Sequence, residues 1–274
     1  MLACAACLRA QEPKLAIERA LLHTSEDGAP AGSDYEFLPG DMVYFSCQLA
    51  GYKKAEKDYD RFEIYLTYSV EARDAHDVLL VPPEADKIAT GVATEDKDWM
   101  PKIRFSFVIP SSADSGQYKI SVKAKDEYGH TEAQSVTPFT VKARDVAPSD
   151  TLLVRNFHFY RGEEDEHPLQ VAAYQPGDTL WARFDMTGYK LGEKNRFDVE
   201  YGLDILRPGG EVAYSQPHAA GQKNESFYPQ RHTPGVLSLN IPKDMALGQY
   251  TIVLTVRDNI GEQTYEVREK FSIE

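Results

Sequence analysis

The chain has 274 residues, 42% of them hydrophobic and 27% charged, with a formal net charge of −13. That apolar content excludes a disordered chain and suits two cores of ordinary size. The acidic balance argues against a nucleic-acid ligand, whose phosphates demand Lys and Arg, and against adsorption to an anionic membrane surface.

The chain starts with the apolar, small-residue stretch Met1 to Ala10, followed by Gln11. It reads as the tail of a secretory signal peptide, cleaved near Ala10-Gln11, although it has no basic n-region. We therefore expect residues 1–13 to be a signal-peptide remnant and the mature protein to be secreted or periplasmic. A lipoprotein acylated at Cys4 or Cys7 is the weaker alternative. Cys4-x-x-Cys7 has the spacing of a redox or metal pair, but neither a second pair nor a βαβ context accompanies it. No later stretch approaches the roughly 18 apolar residues of a membrane span, so the chain is expected not to span a membrane.

From residue 14 the dominant period is two. Pro39-Gly40-Asp41 forms a turn before a strand in which Val43, Phe45, Cys47 and Leu49 alternate with Met42, Tyr44, Ser46 and Gln48. Gly51-Tyr52 follows, then the alternating set Phe62, Ile64, Leu66, Tyr68 and Val70. Residues 71–101 are long and less regular, as surface loops are. Phe105, Phe107 and Ile109 resume the alternation, and Tyr118, Ile120, Val122 and Ala124 continue it. Asp126-Glu127-Tyr128-Gly129 then supplies a hairpin: Asp bonds its own backbone locally and Gly tolerates positive φ. Such alternation marks half-buried antiparallel strands. The first unit thus spans 14–142, and 143–150 reads as a short linker.

The second unit, 151–274, repeats the first. Ile109-Pro110, Gly116-Gln117-Tyr118, Ile120, Asp126 and Gly129 return as Ile241-Pro242, Gly248-Gln249-Tyr250, Ile252, Asp258 and Gly261, an offset of 132 (241 − 109). Pro39-Gly40-Asp41 and Gly51-Tyr52 return as Pro176-Gly177-Asp178 and Gly188-Tyr189 at offset 137 (176 − 39), and Arg61-Phe62 matches Arg196-Phe197 at offset 135 (196 − 61). Residues 208–234 are the second irregular stretch. A slowly shrinking offset means one unit was duplicated and later lost loop residues. The expected fold is all-β: two tandem antiparallel β-sandwiches of about seven strands each.

Asp114-Ser115-Gly116-Gln117-Tyr118 resembles the start of strand F in immunoglobulin-like domains, where a tyrosine corner pins the turn. Ala246-Leu247-Gly248-Gln249-Tyr250 keeps the Gly and Tyr without the Asp, and 250–259 is similar to the end of bacterial PKD-type modules. The resemblance implies two Ig-like sandwiches, Cys47 on strand B, and no disulfide, because Ile120 holds the partner position. It also implies a role as spacer, adhesive unit or enzyme attachment; fold alone does not deliver function.

The candidate chemistry is sparse. Cys47 is in the inward phase and is expected to be a buried small hydrophobe with a raised pKa. The seven histidines form no HxH or HExxH pair. Glu163-Glu164-Asp165-Glu166 is the densest acidic run, conceivable for calcium but lacking the ordered Asp-x-Asp-x-Asp-Gly pattern. No phosphate-binding loop or Gly-x-Ser-x-Gly element is present. Tyr44 and Trp181, equivalent at offset 137, fall in the outward phase, as does Tyr65, and exposed aromatics stack on sugars or anchor proteins. The expectation is a noncatalytic structural or protein-binding module, without metal or cofactor, whose partner is a protein. The alternative is a carbohydrate-binding accessory module that holds a glycan through Tyr44, Trp181 or Tyr65.

Overall fold

The computed structural model describes residues 14–58, 61–96 and 98–274; the expected signal-peptide remnant, with Cys4 and Cys7, lies outside them. The chain divides into two compact units, 1–143 and 144–274. Both are built of β-strands, mostly antiparallel, with no α-helix among the described residues.

In the first unit the strands are β1 (Ala16–His23), β2 (Glu36–Phe37), β3 (Met42–Ala50), β4 (Ala55–Asp58), β5 (Arg61–Arg73), β6 (Glu84–Ala93), β7 (Lys102–Val108), β8 (Gly116–Asp126) and β9 (Thr131–Val141). One sheet runs β1-β3-β7; the other runs β2-β9-β8-β5-β4, with β6 also on β5. The inward residues of β3, β7 and β8 are those the alternation selects. Val43, Phe45, Cys47 and Leu49 are buried, as are Ile103, Phe105 and Phe107, and Tyr118, Ile120 and Val122. Phe107 and Phe139 bring the two sheets together, with ring centroids 6.3 Å apart.

The second unit contains β10 (Leu153–Tyr160), β11 (Ala173–Tyr174), β12 (Thr179–Thr187), β13 (Phe197–Leu206), β14 (Val212–Asn224), β15 (His232–Asn240), β16 (Gly248–Asp258) and β17 (Gln263–Ile273). Its sheets run β10-β12-β15 and β11-β17-β16-β13-β14. One core joins them: Leu180, Ala182, Phe184 and Met186 from β12 pack with Val199, Leu203, Ile252, Leu254 and Phe271 from the facing sheet.

The residues that repeat along the chain do the same work in both units. In the Pro-Gly-Asp turns a carboxylate oxygen accepts the backbone N–H three residues upstream, Asp41 from Leu38 and Asp178 from Gln175, both at 2.8 Å. The turn is then tied to the Ile-Pro motif, because Ile109 N–H donates to Asp41 O and Ile241 N–H to Asp178 O, both at 2.9 Å. Asp126 and Asp258 are buried. Asp126 accepts from the N–H groups of Lys53, Tyr128 and Gly129 at 2.6, 3.0 and 3.0 Å. Asp258 accepts from those of Lys190 and Ile260 and from the Gln263 amide at 2.8, 3.0 and 3.3 Å. A buried carboxylate is tolerable when several donors converge on it. Gly51 and Gly188 adopt φ of 67° and 75°, and a Cβ there would lie 2.3 Å from Lys14 O and 1.9 Å from Thr151 O, so only glycine fits.

A tyrosine hydroxyl in each unit pins the turn that precedes its strand. Tyr118 Oη donates to Asp114 O at 2.7 Å and Tyr250 Oη to Ala246 O at 2.9 Å. Each acceptor is a main-chain carbonyl four residues upstream.

The structure corrects two sequence readings. First, Arg61-Phe62 and Arg196-Phe197 are not equivalent. Leu66 lies opposite Asp126, and Val199 opposite Asp258, so β5 and β13 correspond at offset 133 (199 − 66). A shift of two keeps the inward phase, which is why the alternation hid it. Phe62 is only half-buried, and Ile64 is the counterpart of buried Phe197. Second, the irregular stretches 71–101 and 208–234 each hold an edge strand, β6 and β14, paired along β5 and β13. Both are exposed on most residues, so neither shows hydrophobic alternation. Within the expected linker 143–150, Arg144 and Asp145 bond to residues of the second unit. Arg144 pairs with buried Asp185, Asn156 Nδ2 donates to Asp145 O at 3.3 Å, and Val146 is buried.

Candidate functional site

The three outward aromatics are not brought together. Tyr44 is half-buried on β3, between His23 of β1 and Ser106 of β7. It lines a small hollow of about 140 Å³ with Glu26, Glu84 and Arg104. Tyr65 lies on the facing sheet of the same unit, edge-on to Tyr128 with centroids 6.3 Å apart. Trp181 holds the register place of Tyr44 in the second unit, between Tyr160 and Ser238. It is half-buried. No unit therefore presents a platform of two of these rings.

The polar neighbours of that place are committed to structure. His23 is buried; its Nδ1 lies 2.9 Å from Gly28 O and its Nε2 3.1 Å from Ser46 Oγ, which holds the loop after β1 down on the sheet. In the second unit the same positions are Tyr160 and Arg183, with the guanidinium 4.2 Å from the ring centroid. Arg183 donates to Asp165 O at 2.7 Å and to Glu163 O, and Asp165 Oδ2 accepts from Gly162 N–H at 2.8 Å. The acidic run is thus a loop ordered through its carbonyls. No group of three or more His, Cys, Asp or Glu arranged to hold a metal occurs among the described residues. Cys47 is a free, fully buried thiol, and burial pushes its pKa up to about 11. Such a thiol is a poor nucleophile at neutral pH.

Other hollows fall outside the outward-aromatic reading, among them a shallow one of about 640 Å³ over Tyr68, Lys123 and Gln134. In the first unit, exposed Trp99 borders a depression of about 620 Å³ with Tyr52, Lys54 and Asp98, and Tyr52 Oη donates to Trp99 O. In the second unit a cleft of about 560 Å³ opens between the two sheets where edge strands β14 and β15 diverge. Ile205, Leu239 and Met245 give it apolar walls, and Arg207, Asn240 and Asp244 lie among its polar lining. Its volume falls within the range of small-ligand and side-chain pockets. At the other end of the strands the gap is closed: Gln222 bonds both Pro234 O and Thr233 Oγ1.

The first unit fills the corresponding place with its own chain. Leu79 bridges Arg73 and Leu80 N–H donates to Ala72 O at 2.9 Å, which sets Leu80 opposite Ala72. Leu80 is 2% exposed. In the second unit Ile205 corresponds to Ala72, since they face Ile252 and Ile120 on the adjacent strand. Tyr214 lies opposite Ile205 and is 44% exposed, its hydroxyl bonded to Gln216 at 3.0 Å. Ala213 is the extra residue of a bulge between Val212 and Tyr214. The one available signal in the sequence is that 212–222 contains no Asp, Glu, Lys or Arg in a chain with 27% charged residues.

No family model matches the chain, and no curated protein matches it. Among solved structures, it is similar to a family 123 glycoside hydrolase from Clostridium perfringens at 14% identity and a TM-score of 0.31, over 45% of this chain and 27% of that one. The C-terminal domain of the AgI/II polypeptide BspA from Streptococcus agalactiae gives 10% identity and a TM-score of 0.28, over 95% and 99% of the two chains. Red sea bream transglutaminase gives 10% and 0.27, over 97% and 32%. This chain therefore spans under a third of the glycoside hydrolase and about a third of the transglutaminase. Scores this low carry no argument about activity. Among the described residues no helix is long and apolar enough to cross a membrane.

Proposed function

We propose that the chain is a tandem of two Ig-like β-sandwiches descended from one duplicated unit, acting outside the cytoplasm as a noncatalytic structural and protein-binding module. Support for the Ig-like assignment comes from the sheet orders. In each unit the first long strand, the second and the one before the tyrosine corner form one sheet; the last two strands and the central long strand form the other. The tyrosine corners add to it.

The observation that carries the functional reading is the division of labour between shared and unshared residues. The turn aspartates, the glycine-tyrosine pairs, Asp126 and Asp258 all hold backbone in place. The units also differ in their surface loops and edge strands, β6 against β14 above all, where binding proteins place recognition. Affinity capture with the whole chain, followed by mass spectrometry of envelope and culture fractions, tests this. A saturable protein partner is the expected result; turnover of a substrate by the purified chain would overturn the noncatalytic part.

Carbohydrate binding is the second reading, favoured by the outward Tyr44 and Trp181 at one register position and by exposed Trp99. A glycan-array signal that disappears in Trp181→Ala or Trp99→Ala would favour it, and a blank array removes it.

A further inference from the structure

We infer that the cleft between β14 and β15 is a strand-docking site, which takes an extended segment of a partner protein carrying an aliphatic side chain and basic flanks. The inference rests on the protein-binding reading above and assigns it a place. Three observations converge on it.

The first is the comparison inside the molecule. Leu80 shows what chemistry fills this position: an aliphatic side chain on an extended segment, bonded through its backbone to the strand end at Ala72. In the second unit a short turn, closed by Arg207 N–H to Glu211 O at 2.8 Å, leads straight into β14. Tyr214, in the register place of Leu80, remains largely exposed, and the cleft is open.

The second is the state of the edge. Long edge strands are normally guarded by charge. β6 has Glu84, Asp86 and Lys87 along it. β14 has no charge before Lys223, and it displays Val212 and Tyr214, at 59% and 44% exposure. Its ladder with β13 is regular from Tyr214 to Gln216 and breaks beside Pro217, where a proline cannot donate. The regular edge is therefore three residues, 214–216, with Val212 beyond the Ala213 bulge, directly beside the cleft.

The third is charge. The chain carries −13, so a second acidic copy is repelled while a segment with Lys or Arg on either side of its apolar core is drawn in. Main-chain bonds to β14 would supply affinity, and the side chain that drops between Ile205, Leu239 and Met245 would supply selectivity.

The test uses the whole chain and a labelled synthetic peptide, Lys-Leu-Thr-Leu-Thr-Leu-Lys, followed by amide and methyl NMR. The expected result is shifts confined to 212–216, Leu239 and Met245, with affinity reduced on the order of tenfold or more by Val212→Lys. Val212 is exposed, so circular dichroism of that variant should be unchanged. Leu239→Trp, which enlarges a half-buried side chain of the cleft wall, should abolish binding independently. An Ala-for-Leu peptide that binds equally well, or an N-methylated peptide that binds equally well, overturns the site, as do shifts located elsewhere. Concentration-dependent shifts at 212–216 without peptide would make the occupant a second copy and overturn the partner assignment. If a captured partner binds Val212→Lys as well as wild type, this site fails while the protein-binding reading survives.

Discussion

At one equivalent pair of core positions the two units distribute volume in opposite ways. In the first, Cys47 of β3 faces Ile103 of β7. In the second, Phe184 of β12 faces Gly235 of β15. The small residue is on one strand in one unit and on the neighbouring strand in the other. Phe184 occupies the room that glycine leaves: a Cβ on Gly235 would lie 2.3 Å from its ring. Phe157 stacks on the same ring at 5.8 Å and Tyr201 meets it edge-on at 5.1 Å. Cores tolerate such exchanges when total volume is kept. A cysteine here is thus one of two interchangeable packing solutions, which is why its thiol needs no partner.

Breaking this swap should give the largest effects. Phe184→Ala leaves a void under Phe157 and Tyr201 and is expected to cost about 3–5 kcal/mol. It would be read from Trp181 fluorescence in denaturant, in a Trp99→Phe background. Gly235→Val forces the ring aside and should cost about 1–3 kcal/mol, whereas Ile103→Val at the matching place should cost about 1. Equal costs at the two positions would show that the units are not packed as described. Asp126→Ala and Asp258→Ala each strip three donors of their acceptor, and each should lose about 2–3 kcal/mol, with the two units affected alike. Tyr118→Phe and Tyr250→Phe should each lose about 1 kcal/mol, and no loss at either position would show that its hydroxyl does not pin the turn.

Alkaline pH sharpens the same comparison. Burial raises the Cys47 thiol from 9.0 to about 11, so the folded first unit holds that proton more tightly than the unfolded chain does. Its contribution is complete below pH 9 and is lost between pH 9 and about 11. The second unit has no thiol there; burial instead raises the phenols of Tyr174, Tyr189 and Tyr201 above 10.0, so its loss begins about one unit higher. Unfolding midpoints at pH 8 to 11 check the order, and Cys47→Ala should remove the earlier decline.

Much of this architecture was legible because it is periodic. Val43, Phe45, Cys47 and Leu49 identify their inner face by alternation alone, and the aspartate of each hairpin announces its turn. The register of β5 against β13 was not legible: a two-residue slip leaves the phase intact, so the chance identity of Arg61-Phe62 with Arg196-Phe197 went unopposed. Edge strands β6 and β14 were hidden for a related reason, since a strand exposed on both faces has no apolar stripe. The cleft beside β14 depends on where Leu80 and Tyr214 end up, one buried and one exposed at the same register, and only coordinates report that. Its one trace in the sequence was a run without charge.

The short parallel pairings, Glu36-Phe37 with Thr140-Val141 and Ala173-Tyr174 with Ser272-Ile273, join the segment after the first strand of each unit to its closing strand. When a unit is pulled by its two ends, parallel strands placed this way slide lengthwise past one another, so their bonds must yield together instead of unzipping in turn. Each unit thus closes on itself through a pairing that shears where the antiparallel hairpins would peel.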